Sequence, residues 1–140
     1  MVLVLILSST PASAQFVSLV GGPPPVQDFN TLAASGSSST LPNGWYLAET
    51  DDNANSEYRA GDGSSNTGDT YSFGAGTDSE RAFGTLQSSS LVSRIGAQLR
   101  NDSGLAVTEI TVNYTGEQWR LGATGRADTL KFEYSANATG

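Results

Sequence analysis

Three stretches of this chain alternate apolar and polar residues with a period of two. Residues 91–100 put Leu91, Ile95, Ala97 and Leu99 on one side, with Arg94, Gln98 and Arg100 on the other. Residues 106–114 set Ile110, Val112 and Tyr114 against Glu109, Thr111 and Asn113, and residues 129–135 set Leu130, Phe132 and Tyr134 against Lys131 and Glu133. Successive side chains of a β-strand point to opposite faces, so this period predicts strands buried on one face and wet on the other. Asn101-Asp102-Ser103-Gly104 is turn chemistry, which predicts that 91–100 and 106–114 form an antiparallel hairpin. Shorter strand-like runs are expected at 26–32, 44–49, 57–60, 70–73 and 81–86, separated by small polar stretches at 35–40, 51–56 and 61–69. No run carries the 3.6-residue period of an amphipathic helix.

Many short strands with no βαβ alternation point to an all-β fold, a two-sheet antiparallel sandwich of jelly-roll type. It is expected to occupy residues 26–140. A strong strand near the end, with nothing after it to cover it, further predicts that the sandwich continues past Gly140. The fold has to stand without disulfides, because the chain has no Cys.

The residue inventory removes whole classes of chemistry. Without His or Cys there is no Ser-His-Asp triad, no thiolate nucleophile and no zinc site of the usual nitrogen and sulfur ligands. Seven basic against fourteen acidic residues give a formal charge of −7. Lys131 is the one lysine and the arginines are scattered, so a phosphate backbone is repelled and nucleic acid is not an expected partner. What remains is carboxylate chemistry, or hard cations held by oxygen.

Residues 2–7 form an unbroken apolar run, far shorter than the roughly 18–20 residues that span a bilayer. Pro11 and Ala12-Ser13-Ala14 follow, a small-x-small pattern that predicts a signal peptide over residues 1–14, cleaved after Ala14. Its positive n-region is missing, which suggests that Met1 lies inside a longer leader. Residues 15–25, with Gly21-Gly22-Pro23-Pro24-Pro25, are expected to be a stiff linker.

A set of runs carries a family likeness. They are Asp28-Phe29-Asn30-Thr31-Leu32, Leu41-Pro42-Asn43-Gly44-Trp45, Gly63-Ser64-Ser65-Asn66-Thr67-Gly68-Asp69-Thr70-Tyr71-Ser72-Phe73-Gly74, Glu80-Arg81-Ala82, Tyr114-Thr115-Gly116-Glu117-Gln118-Trp119-Arg120 and Leu130-Lys131-Phe132-Glu133-Tyr134-Ser135. Together they resemble a β-sandwich module of secreted bacterial proteins. Those proteins often carry a PEP-CTERM-type sorting signal, or lamin-tail or extracellular nuclease or phosphatase domains. The resemblance implies a secreted, jelly-roll-like module and no catalytic residues.

Four places offer candidate sites. Asp51, Asn53, Asn55 and Asp62 fall at positions 1, 3, 5 and 12 of a calcium loop, but Ser56 stands where an EF-hand needs Gly. A looser structural calcium site and a solvated turn both stay open there, with no other cofactor expected. Glu117, Trp119 and Arg120 offer a ring for sugar stacking with polar groups beside it, or a core plug with an ion pair. Trp45-Tyr46 places one ring on each face of a strand. Paired carboxylates for glycoside hydrolysis fail on spacing: after Glu49-Thr50-Asp51 the third acid falls on Ala54, and Glu109 and Glu117 stand too far apart.

The expected function is a secreted, non-catalytic accessory or adhesion module on the bacterial surface. It would bind polysaccharide or another surface component through Glu117, Trp119 and Arg120. Two alternatives remain: the structural N-terminal part of a secreted nuclease or phosphatase whose catalytic domain lies further on, and a purely structural envelope or matrix module.

Overall fold

The computed structural model describes residues 15–76, 78–125, 127 and 129–136; the leader expected over 1–14 lies outside them. The described residues form an all-β structure with no helix. Eight strands are arranged in three sheets: β1 (Val17–Leu19), β2 (Ser37–Ser38), β3 (Trp45–Thr50), β4 (Tyr58–Gly61), β5 (Asp69–Phe73), β6 (Ala82–Leu86), β7 (Val92–Ala97) and β8 (Leu99–Asn101). Five of them, β3 to β7, fall on sequence runs whose apolar alternation predicts a strand.

The largest sheet has the order β2-β4-β5-β6, β3 pairs with β7, and β1 pairs with β8. Pairing is not wholly antiparallel as expected: β1–β8 and β4–β5 run parallel. The reason for the second lies in its connection. Seven residues separate Gly61 from Asp69, enough to reach roughly 23 Å. That returns the chain along the four-residue β4, about 13 Å long, so β5 sets off in the same direction. Val17–Leu19, which composition placed in the linker, supplies β1 in register with Leu99–Asn101.

Three expected strands do not form. Residues 26–32 make a turn, with Phe29 in the left-handed region at φ 61°. The amides of Phe29 and Asn30 donate to the side chains of Gln27 (2.8 Å) and Asp28 (3.0 Å), and Leu32 N donates to the Phe29 carbonyl. Local side-chain acceptors thus take the donors that a ladder would need. The hairpin of 91–100 with 106–114 is replaced by an antiparallel pairing of β7 with β3, from Trp45↔Ala97 to Thr50↔Val92. The 101–104 turn is present, with Ser103 N on Asn101 Oδ1 and Leu105 N on Ser103 Oγ. β7 and β8 pair with β3 and β1, and among the described residues the alternating runs 106–114 and 129–135 form no strand. Ile110, Val112, Tyr114, Leu130, Phe132 and Tyr134 are consequently exposed.

The apolar centre is the buried cluster of Leu32, Tyr58 and Phe83, with Phe29, Leu41, Trp45, Leu47 and Ile95 packed on it. Strands β3 and β7 lay the Trp45, Leu47 and Ile95 face onto Tyr58 of β4 and Phe83 of β6. Phe29 meets Trp45 edge-on at 4.6 Å, and Tyr58 meets Phe83 edge-on at 6.0 Å. The Tyr58 hydroxyl donates to the Thr40 carbonyl and accepts from Ala33 N, both at 3.0 Å.

Alternation along β5 divides two chemistries between its faces. Thr70 and Ser72, fully buried, share one face. There Glu49 Oε1 accepts from Thr70 N (2.9 Å), Thr70 Oγ1 (2.7 Å) and Ser93 Oγ (3.3 Å). Arg81 is also buried; its Nε donates to Ser72 Oγ at 2.8 Å, its Nη2 to the Ser72 carbonyl, and its Nη1 has no partner among the described residues. Asp69, Tyr71 and Phe73 share the opposite face. Tyr71 and Phe73 stack at 5.0 Å beside Gly61 and Gly84, where an added Cβ would come within 3.0 Å of those rings.

Candidate functional site

Glu117, Trp119 and Arg120 come together, though on an irregular segment instead of a strand. The Trp119 ring lies nearly parallel to Phe73 (8°, centroids 6.0 Å apart), which extends the Tyr71–Phe73 stack. Its indole N–H donates to Glu117 Oε2 at 2.8 Å. The Arg120 guanidinium donates to the carbonyls of Gly63 and Ser64, each at 3.2 Å, and to Asn66 Oδ1. Gly63, at φ 85°, is required here, since a Cβ would run into the Trp119 carbonyl. Arg120 therefore clamps its segment to the 62–68 connection, while Glu117 stays exposed at the edge of a half-buried ring.

In the would-be calcium loop Asn55 and Asp62 bond locally, and Asn53 reaches across to Ser90. Asn53 Nδ2 donates to Ser90 Oγ, Asn55 Oδ1 accepts from Glu57 N, and Asp62 Oδ1 accepts from the Ser64 amide and hydroxyl. The Ser64 bonds hold the Asp62 carboxyl below its ordinary pKa. Among the described residues no three acid side chains gather to hold a metal ion. Trp45 packs inward, whereas the Tyr46 hydroxyl donates to the Gln15 carbonyl at 2.5 Å. Glu49 is held on the Thr70 face, Asp51 is exposed, and Glu109 and Glu117 are both solvent-facing.

One group escaped the sequence reading. Asp69 is a buried carboxylate, its side chain 8% exposed, with Arg59 Nε 3.6 Å from its Oδ2. Burial raises its pKa, and the Glu49 charge adds to the rise; the Thr70 amide, Arg59 and a hydrogen bond from the Asn55 side chain oppose it. The signal was present in Asp69-x-Tyr71-x-Phe73, which puts an acid on the same strand face as two aromatic rings. A carboxyl with a raised pKa favours the folded state when protonated, so its contribution is complete below the ordinary value of 3.8 and is lost as pH rises through the raised value. Asp69→Asn is accordingly expected to raise the melting temperature at pH 7, with the gain vanishing below about pH 3.8. Thermal melts of both chains across that range check this.

No helix among the described residues is long and apolar enough to cross a membrane. Comparisons with protein-family models, with curated proteins and with solved structures found no match to this chain.

Proposed function

We propose that this chain is a non-catalytic module of a secreted bacterial surface protein, and that it engages polysaccharide or another surface component. The observation that carries this reading is the Trp119 ring, held in a fixed plane against Phe73 with the Glu117 carboxylate bonded at its edge. A flat apolar face beside a hydrogen-bond acceptor suits a sugar, which presents C–H bonds on its faces and hydroxyls around its rim. Arg120 takes a different part from the one its sequence suggests: its donors face the protein, so it positions Trp119. Calcium, if bound near the 51–69 loop, would serve the fold and not the ligand. The net charge of −7 weighs against nucleic acid.

A two-sheet, jelly-roll-like sandwich is part of the same proposal. The packing of β3 and β7 across the Leu32–Tyr58–Phe83 cluster supports it. The likeness to secreted β-sandwich modules and the small-x-small leader support the extracellular placement.

Affinity electrophoresis against a panel of neutral and acidic polysaccharides tests the binding. Retardation is expected with at least one of them, and Trp119→Ala is expected to weaken it about tenfold or more. A Trp119→Ala chain that stays folded and keeps full affinity would remove Trp119 from the site.

A further inference from the structure

A second polar feature lies on the Asp69–Tyr71–Phe73 face, away from the motif that sequence singled out. It is a cavity of about 280 Å³ whose lining includes Ser37, Asn55, Ser56, Arg59 and Asp69. That volume is just under the roughly 300–1,000 Å³ of pockets that take small molecules, so its occupant is small. We infer that this cavity is a subsite for one neutral sugar unit, with Asp69 and Arg59 gripping its hydroxyls.

The grip follows from an unfinished pairing. Asp69 Oδ1 accepts from Thr70 N at 2.9 Å. Oδ2 faces Arg59 Nε at 3.6 Å, too far for a hydrogen bond. The guanidinium side chain is 52% exposed and makes no other hydrogen bond to a described residue. A hydroxyl placed between the two can donate to the carboxylate and accept from the guanidinium, completing both at once. Asn55 lines the same cavity: its Oδ1 accepts from Glu57 N at 2.7 Å and its side chain hydrogen-bonds to the Asp69 carboxyl, so the gap that remains is on the Arg59 side.

Charge narrows the ligand class. An anion would meet Asp69 and Glu57, both in the lining. A metal cation would meet the Arg59 charge at the very carboxylate it needs. A neutral polyol meets neither penalty. Asp69 and Phe73 stand at opposite ends of β5 on one face, about 13 Å apart at strand rise, with Trp119 on Phe73. The inference takes its ligand class from the polysaccharide reading but stands on different residues.

Ligand-observed NMR on the whole chain tests it, with the methyl glycosides of glucose, galactose, mannose and N-acetylglucosamine as probes. At least one is expected to bind in the millimolar range. Arg59→Ala, at an exposed position, and Asp69→Asn should each weaken it about tenfold, the loss of a charge-assisted hydrogen bond. Binding that survives both cavity variants overturns the inference, as does the absence of binding by all four probes, or calcium chloride perturbing Asp69 where the glycosides do not. If glycosides bind but Trp119→Ala leaves polysaccharide affinity intact, the Trp119 reading fails and the cavity stands.

Discussion

A Tyr58→Ala chain is expected to lose about 4 kcal/mol or more of stability, a large share of what a domain of this size holds. Tyr58 is 1% exposed and sits at the centre of the buried cluster with Leu32 and Phe83. Truncating a buried aromatic removes its transfer energy and leaves a cavity, together worth roughly 3–5 kcal/mol. Here the loss goes further, because the hydroxyl bridges Ala33 N and the Thr40 carbonyl. Those groups lie in the 26–40 segment, most of which has no ladder to hold it apart from the two residues of β2. Domains of this size hold only about 5–15 kcal/mol in total. Tyr58→Phe separates the two effects: it keeps the ring, loses the bridge, and should cost about 1–3 kcal/mol. Urea titrations followed by tryptophan fluorescence give both numbers. A Tyr58→Ala chain within 1 kcal/mol of the parent would mean that the cluster is not the centre of stability.

The second large effect is expected at Gly74. Its missing side chain makes room for Arg81: a Cβ there would overlap Nη1 and come within 2.6 Å of Cζ and 2.7 Å of the Glu80 carbonyl. Arg81 cannot swing aside, since it is buried and bonded twice to Ser72. Gly74→Ala should therefore cost about 2–4 kcal/mol through overpacking. Part of that cost should disappear in an Arg81→Met background, because the two shortest contacts are with the Arg81 side chain while the one with the Glu80 carbonyl remains. Arg81→Met by itself should be nearly neutral: it forfeits two bonds to Ser72 but also removes a buried cation that has no carboxylate within ion-pair distance among the described residues. A double-mutant cycle measures the coupling. Equal Gly74→Ala costs in the two backgrounds would refute the contact.

Much of the β character was legible along the chain. Leu91, Ile95 and Ala97 alternate with polar neighbours, and β7 forms there; Tyr71 and Phe73 alternate with Thr70 and Ser72, and β5 forms there. Such runs need only the local geometry of a strand, in which neighbours face opposite ways. The Glu117–Trp119–Arg120 cluster was legible too, since its members are within three residues of one another. The role of Arg120 was not: its partners, Gly63, Ser64 and Asn66, are over fifty residues away. Asp69 was passed over for a related reason. Its setting depends on Arg59 from β4 and on Glu49 from β3, brought near by the sheet and by no sequence spacing.

The sequence by itself determined that the chain is all-β, that it has no cysteine or histidine chemistry, and which residues can face the same way. Those properties depend on side-chain type and on the two-residue period, and neither needs a neighbour. Only the tertiary structure decided which strands exist and whom they pair with. Residues 106–114 alternate as well as 91–100 do, yet one run is exposed coil and the other holds β7. A strand's backbone donors and acceptors are satisfied by another segment alongside, and whether that segment arrives is settled by the path of the whole chain.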